Sequence, residues 1–403
     1  MVDDIADVGQ EEFDALDRTA GAAGCHGRLA QRQADGRWQV SYLRARLDGR
    51  LTAMIPVYAC RSRTWPDPAY DAGTWDLPTA SREGRDPGYE AGTWGPPTAP
   101  REGRDTAYEA GTWGPPTGSR EGRDSAYDAG TWDLPAGSRE GRDPGHCLLV
   151  GGCADVRSAL HAGLPESGPD TARLLLARLA GHAAAQDKCL VFPYMDTATK
   201  AALAEAGDGG IAWTVLRREA RLSGVLNPEW ERELGSRVHG VLRRDRRLIE
   251  AAGLHRSRPA WPDIADEAGE LIAEHYVRKG EPDHPEFVRL RHAEWDQCDG
   301  VELVVFATAV DDVRGVLTAL VWEDELELRD IGLTVSDSPH RLAAYLDLLF
   351  HRPLEFARAR GLRTIRAGHG AEVPKRSRGA VFQDLYGGVL DRAGCERLAR
   401  ARS

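Results

Sequence analysis

Between Val301 and Val335 three apolar runs follow one another almost without a break: VELVVFAT (Val301 to Thr308), RGVLTALVW (Arg314 to Trp322) and ELELRDIGLTV (Glu325 to Val335). Aliphatic and aromatic residues at this density suit pleated, half-buried strands. The acidic pairs Asp311-Asp312 and Glu323-Asp324 mark the turns between them, and turns this short join antiparallel neighbours. An amphipathic helix comes next, with Tyr345, Leu348, Leu349, Phe350, Leu354, Phe356 and Ala357 at three- and four-residue spacing. Gly361 supplies the left-handed cap that ends such a helix. Leu362-Arg363-Thr364-Ile365 then reads as a fourth strand.

That strand runs into a glycine-flanked turn, Ala367-Gly368-His369-Gly370-Ala371, after which Glu372, Lys375 and Arg378 stand three residues apart. The spacing predicts a carboxylate, an ammonium and a guanidinium on one face of a helical turn. A strand-to-loop junction with convergent charges is where α/β proteins place ligand contacts. His369 lies in the same turn, whereas the other histidines show no metal-ligand spacing. A second basic cluster lies at Trp230 to Gly253, a predicted helix carrying Arg237, Arg243, Arg244, Arg246 and Arg247. Val241, Leu242, Leu248 and Ile249 mark its buried side. In a chain of net charge −11, five arginines in eleven residues suit an anionic ligand or a solvated helix face.

The first half offers a hairpin, Trp38 to Arg46 and Leu51 to Ala59 around Asp48-Gly49, then the helical LLLARLAGHAAA and a strand, Cys189 to Tyr194. A length of 403 residues accommodates two ordinary domains. No apolar run is long enough for a membrane span, and the acidic start MVDDIADVGQEEFDALD does not read as a secretory signal. Seven scattered cysteines without CxxC spacing favour neither a disulfide framework nor a metal site, so the expected compartment is the cytoplasm. Only Lys188, Lys200, Lys279 and Lys375 are lysines among 52 basic residues. Where arginine replaces lysine so widely, a retained compact ammonium marks Lys375 and Lys279 for attention. No GxSxG elbow, Walker loop or dinucleotide fingerprint is present, which tells against serine nucleophiles, nucleotide hydrolysis and hydride transfer.

The order Leu354-Glu355-Phe356-Ala357, Gly361-Leu362, Gly368, Glu372, Lys375, Arg378-Gly379 resembles the closing motif of the Fem-like, peptidoglycan-biosynthesis branch of the GNAT acyltransferase superfamily. The basic helix and the strand order resemble it more loosely. The resemblance implies an α/β fold of tandem GNAT-like domains, each a mixed, largely antiparallel sheet flanked by helices. Residues 1–69 plus 145–210 would form the first domain and 211–403 the second. It implies an N-acyltransferase moving an acyl or aminoacyl group to an amine of a cell-wall precursor or small metabolite. Lys375, Glu372 and His369 would be catalytic, and Arg378, Arg243, Arg244, Arg247, Tyr345 and Asp347 would bind donor or substrate. No metal and no tightly bound cofactor is implied, the donor being aminoacyl-tRNA or acyl-CoA, with tRNA as a partner. Ordinary GNAT acetyltransferases carry an RxxGxG/A loop for the coenzyme pyrophosphate. Here the corresponding stretch, Leu333 to Arg341, has no glycine, though Ser338 could cap the next helix with Pro339 in its first turn. This departure points towards aminoacyl-tRNA. An acyl-CoA-dependent acetyltransferase and a non-catalytic GNAT-like binding protein are the alternatives.

Residues 70–144 interrupt this pattern. YDAGTWDLPTASREGRDPG recurs with a period of 19 residues from Tyr70, Tyr89, Tyr108 and Tyr127, with Trp75, Trp94, Trp113 and Trp132 in equivalent places. One Tyr and one Trp per period, among Gly, Pro, Ser, Asp and Arg, cannot bury enough apolar surface to offset the ordering entropy. The expectation is a disordered insertion, and the Asp and Glu that match its arginines argue against stacking on nucleic acid. Deleting Tyr89 to Ala126, two whole periods, should leave the melting temperature within about 5 °C of the parent, because loop closure varies slowly with length. Loss of soluble expression would show that the repeats belong to the core.

Overall fold

The computed structural model describes residues 2–16, 21–62, 64–65, 143–153, 158, 161–162, 168–280 and 283–401; the repeats lie outside them. The first half contains α1 (Gln10–Asp14), α2 (His26–Ala34), β1 (Trp38–Leu47), β2 (Arg50–Cys60), β3 (Cys147–Val150), β4 (His161–Ala162), α3 (Gly168–Ala185), β5 (Cys189–Met195) and α4 (Thr197–Ala206). The second runs β6 (Ala212–Ser223), α5 (Trp230–Glu233), α6 (Ser236–Ala252), β7 (His255–Ser257), α7 (Trp261–Arg278), α8 (Pro285–Asp296), β8 (Glu302–Val310), β9 (Val313–Trp322) and β10 (Glu325–Leu333). It continues with α9 (Arg341–Leu346), α10 (Arg352–Arg360), β11 (Thr364–Arg366), α11 (Glu372–Arg376), β12 (Val381–Leu390) and α12 (Arg392–Arg400).

All the described strands join one mixed, largely antiparallel sheet of order β1-β2-β3-β5-β12-β6-β11-β10-β9-β8-β7, with β4 added beside β2. Only β3–β5 and β10–β11 pair in parallel. The meander β8–β9–β10 forms as its apolar runs predict. The first hairpin turns at Asp48 (φ 51°) and Gly49 (φ 82°), the two left-handed positions that a tight hairpin needs. Strand β12 bonds β6 along its length and β5 along its last residues, so the end of the chain links the two halves of the sheet. Leu390 and Cys395 enter the same core as Leu175, Leu179 and Leu190 of the first half.

On the second half, one face packs Phe306, Leu317, Leu326 and Ile365 against Leu242, Ile249, Leu348 and Phe356 of the α6 and α9–α10 layer. The opposite face packs Val305 and Val316 against Trp261, Leu271, Ile272 and Val288 of α7 and α8. Two details differ from the sequence reading. The buried side of α6 is Leu242, Asp245, Ile249 and Ala252, while Leu248 is 39% exposed. The predicted helix from Tyr345 is interrupted by a π-helical turn, Asp347–His351. Pro353 lies two residues beyond it; it lacks an N–H, and its ring would press on the Leu349 carbonyl in a regular helix.

Strand β11 has only three residues, and a buried guanidinium laces it to both neighbours. Arg366 (2% exposed) donates from Nε and Nη2 to Glu219 Oε1 of β6 at 2.9 and 2.7 Å, and from Nη1 to Glu327 Oε2 of β10 at 2.8 Å. Arg221 and Arg329 back the two carboxylates from their outer sides. A 3₁₀ turn, Gly21–Gly24, covers the network so closely that a Cβ on Gly21 would lie 1.9 Å from Arg366 Nη1. Arg366→Leu takes the shared cation from the buried Glu219 and the half-buried Glu327 and should cost about 3 kcal/mol or more, read as a fall in the urea midpoint. An unchanged midpoint would show that the network contributes nothing to stability.

Candidate active site at the parting of two strands

Strands β10 and β11 pair only over Glu325–Glu327 and Thr364–Arg366. Beyond that point β10 is bulged between Leu328 and Ile331. The chain after β11 bonds to the other side, Ala367 N donating to Ala220 O and Ala220 N to Gly368 O at 2.8 and 2.9 Å. The two strands therefore part at their carboxyl ends, the position where open α/β sheets receive ligands. Gly368, Gly370 and Ala371 all hold positive φ (65°, 71° and 47°). For Ala371 that conformation is strained, and it turns the chain into α11.

Lys375 lies on α11, 4% exposed, with Nζ donating to His369 O at 2.8 Å and Gly368 O at 3.3 Å. Burial, reinforced by the charge of Lys279 and opposed by Glu219, brings its pKa down to about 8. At neutral pH the group is a cation that gives up its proton more readily than an exposed lysine. On the β10 side, the buried Asp330 accepts from Tyr276 Oη at 2.5 Å and from Arg291 Nε at 3.3 Å, with His292 Nε2 at 3.2 Å. Burial works to raise its pKa, but His292, Arg291 and Arg329 hold the carboxyl well below the usual range. His275 is brought down to about 4 by burial and by Lys279, Arg278 and Arg341, so it is neutral beside three cations. Lys279 thus acts on both His275 and Lys375.

The expected triplet does not share a face. Helix α11 ends at Arg376, so only Glu372 and Lys375 belong to it. Glu372 faces Arg218 and Arg376, at 3.7 and 3.5 Å, rather than Lys375. Arg378 turns to Asp245 of α6, with Nε 2.7 Å from Oδ2, and donates from Nη1 to Pro374 O at 3.0 Å. It braces the α11 turn from behind. His369 is exposed, and its carbonyl is a partner of Lys375. Asp347 is fully buried in the π turn and paired with Arg256 Nε at 3.1 Å, its pKa raised by burial against that guanidinium. Tyr345 is half-buried near the Phe350 ring, and burial raises its pKa too. Arg243, Arg244 and Arg247 are exposed on α6 and make no ion pair among the described residues.

Residues that the sequence reading does not single out are Asp330, Tyr276 and His292 at the opening and Asp245 behind it. Both acids carry a signal. Asp330 stands where Leu326 and Leu328 give way to Ile331 and Leu333, a change of phase that marks the bulge. Asp245 interrupts the apolar stripe of α6. Among the described residues no group of His, Cys, Asp or Glu could hold a metal ion, and no helix is long and apolar enough to cross a membrane.

No family model and no curated protein matches the chain. Solved structures do. FemX superposes with a TM-score of 0.55 at 8% identity, covering 96% of this chain and 96% of that one. A tandem GNAT protein from the clavulanic acid biosynthesis pathway gives 0.44 at 10% identity, over 95% of this chain and 92% of its own. L-PGS from Bacillus licheniformis gives 0.40 at 10% identity, over 64% and 83%. At these identities the likeness is one of fold: the chain has the architecture of FemX, a large mixed sheet flanked by helices, over nearly its whole length.

The lowered pKa of Lys375 has a sign that stability measurements can read. Below about pH 8 the lysine is protonated in both folded and unfolded chains, and the cost of burying the charge is fully present. Between about 8 and the ordinary lysine value of 10.5 the unfolded chain binds more protons, so rising pH relieves that cost. The stability of the parent relative to Lys375→Met should therefore increase from about pH 8 to about pH 10 in paired denaturation curves. A constant difference would mean that Lys375 is not buried as a cation.

Proposed function

We propose that this chain is an N-acyltransferase of the Fem type, moving an acyl or aminoacyl group to an amine of a cell-wall precursor or small metabolite. Residues 211–403 carry the acyl-transfer site in this reading. The observation that carries it is the buried Lys375 ammonium at the parting of β10 and β11, within a fold like that of FemX over nearly the whole chain.

Acyl transfer to an amine needs the donor carbonyl held against the amine, a donor for the developing oxyanion and a path for the amine proton. Lys375 meets the oxyanion: a cation already stripped of water gains more from a developing negative charge than a solvated one does. Its bonds to the His369 and Gly368 carbonyls hold Nζ in place. His369, on the same turn, takes the amine proton. Lys279, Arg278 and Arg341 supply the positive field for the donor's phosphates, and the exposed Arg243, Arg244 and Arg247 extend donor binding along α6.

The stretch after β10 favours aminoacyl-tRNA over acyl-CoA. A glycine loop leaves successive backbone amides free to cradle a pyrophosphate, and this stretch has no glycine and turns several of its amides inward. Here Thr334 N bonds Arg314 O, Ser338 N bonds Ser336 Oγ, His340 N bonds Ser338 Oγ and Arg341 N bonds Ser338 O. Ser338 thus closes its own turn rather than capping α9, which begins at Arg341 without a side-chain cap.

The test is turnover of labelled aminoacyl-tRNA and of acyl-CoA with a panel of amines. Lys375→Met should keep the fold and lower kcat by about a hundredfold or more, with Lys375→Arg rescuing only in part. Parent activity should fall as pH rises through about 8, the pKa of the required cation. Replacing Arg243, Arg244 and Arg247 by alanine should raise the donor KM and flatten its salt dependence. A fully active Lys375→Met would sink the assignment, and acyl-CoA as the preferred donor would transfer it to the acetyltransferase class.

A further inference from the structure

A groove of about 660 Å³ opens beside α11, lined by Thr197 at the start of α4, Arg218 of β6, Arg376, and Val381, Phe382 and Asp384 of β12. Two guanidinium groups of its lining, from separate elements, also face one carboxylate oxygen, that of Glu372 at the start of α11. Arg218 Nη1 lies 3.7 Å and Arg376 Nη2 3.5 Å from Glu372 Oε2. Neither contact is a hydrogen bond, whereas Arg218 Nε reaches Asp384 Oδ1 at 3.0 Å and is oriented by it. An oxyanion therefore sits loosely between two forks, in the arrangement by which arginines grip a bound carboxylate or phosphate, but without the short contacts.

The side chains are free to rearrange: Arg218, Arg376 and Glu372 are 52%, 64% and 41% exposed. The groove also has an apolar side. Val381 is 72% exposed, and the Arg376 guanidinium lies 5.2 Å from the Phe382 ring centroid. One turn along α4 from Thr197, Lys200 Nζ stands 4.2 Å over the Tyr386 ring of β12, a third cation on that strand.

We propose that this groove binds a small ligand bearing one carboxylate or phosphate on an apolar or planar body, and that Glu372 fills the oxyanion's seat when the ligand is absent. The bound oxyanion bridges Arg218 and Arg376, and the body covers Val381 and Phe382. Glu372 is then an internal competitor rather than a base. Arg376 directly follows Lys375 on α11, so the groove and the proposed catalytic ammonium are carried by the same short helix. On the acyl-transfer reading, on which this part alone rests, the ligand is the acceptor.

Calorimetric titration of the full chain with phenyl phosphate, N-acetylphenylalanine and N-acetylphenylalanine amide tests the site without reading activity. At least one acid should bind saturably and the neutral amide should not, the better acid telling phosphate from carboxylate. Arg218→Ala and Arg376→Ala should each weaken that binding about tenfold, the worth of a charged hydrogen-bond pair. Glu372→Gln should tighten it about threefold or more, since it removes the competitor and leaves both arginines. A surface carboxylate with no such role would leave the affinity unchanged, and that result overturns the proposal. Equal binding of the amide, or binding of neither acid, overturns it as well. If Arg218→Ala does not fold, Arg376, the most exposed of the three, carries the test. Failure here with Lys375-dependent turnover intact would remove the groove and leave the acyltransferase; saturable binding without turnover would do the reverse.

Discussion

The second half of the molecule depends on one buried guanidinium. With three residues, β11 offers too few ladder bonds to hold β6 and β10 at fixed separation, and Arg366 adds two bonds to one oxygen of Glu219 and a further bond to Glu327. Charged hydrogen bonds in a dry setting are strong, and losing one partner there is costly. The lacing confines the parallel pairing of β10 and β11 to three residues and leaves their ends apart. That parting makes room for the glycine turn, the strained Ala371 and the placement of Lys375 beneath two carbonyls.

The charges around the opening are sorted by burial. Asp330 stays ionised because histidine and arginine outweigh its desolvation, and Tyr276 stays protonated because burial and Asp330 both oppose its ionisation. Lys375 meets the opposite balance: among the described residues no salt bridge offsets its burial, Lys279 adds to the penalty, and Glu219 opposes it only in part. Groups whose environments push them in opposite directions within one opening are the usual material of acid, base and electrostatic roles. Behind the opening, Asp245 fixes Arg378, and Arg378 fixes the carbonyl of Pro374 one residue before Lys375. The basic motif is thus partly scaffold: one of its cations is buried at the opening, one is a brace and Arg376 faces the groove.

Much of the fold was legible because local chemistry and tertiary structure agree there. The β8–β9–β10 meander, the first hairpin and the helix ending at Gly361 all follow from periodicity and turn residues. Strands β6 and β12 were not legible. AWTVLRREARLS places exposed Arg217 and Arg218 in a strand near the centre of the sheet, since part of β6 borders the groove and faces water. FQDLYGGVL carries paired glycines because Gly388 lies against Trp213, where a Cβ would come within 2.6 Å of the indole. Both departures from a strand pattern reflect neighbours distant in sequence.

Local order is enough to specify the strand meander, the succession of helix, strand and turn, and the scarcity of lysine that sets Lys375 and Lys279 apart, because these rest on spacing, turn geometry and residue chemistry. It does not specify which charges meet. Glu372, Lys375 and Arg378 look equivalent at three-residue spacing, yet the helix stops after five residues and each finds a different partner. Asp245, Glu219 and Asp330 acquire their roles only when α6, β6 and the bulge of β10 bring them to cations remote along the chain. Electrostatic partnership depends on distance and desolvation, and both are properties of the packed chain alone.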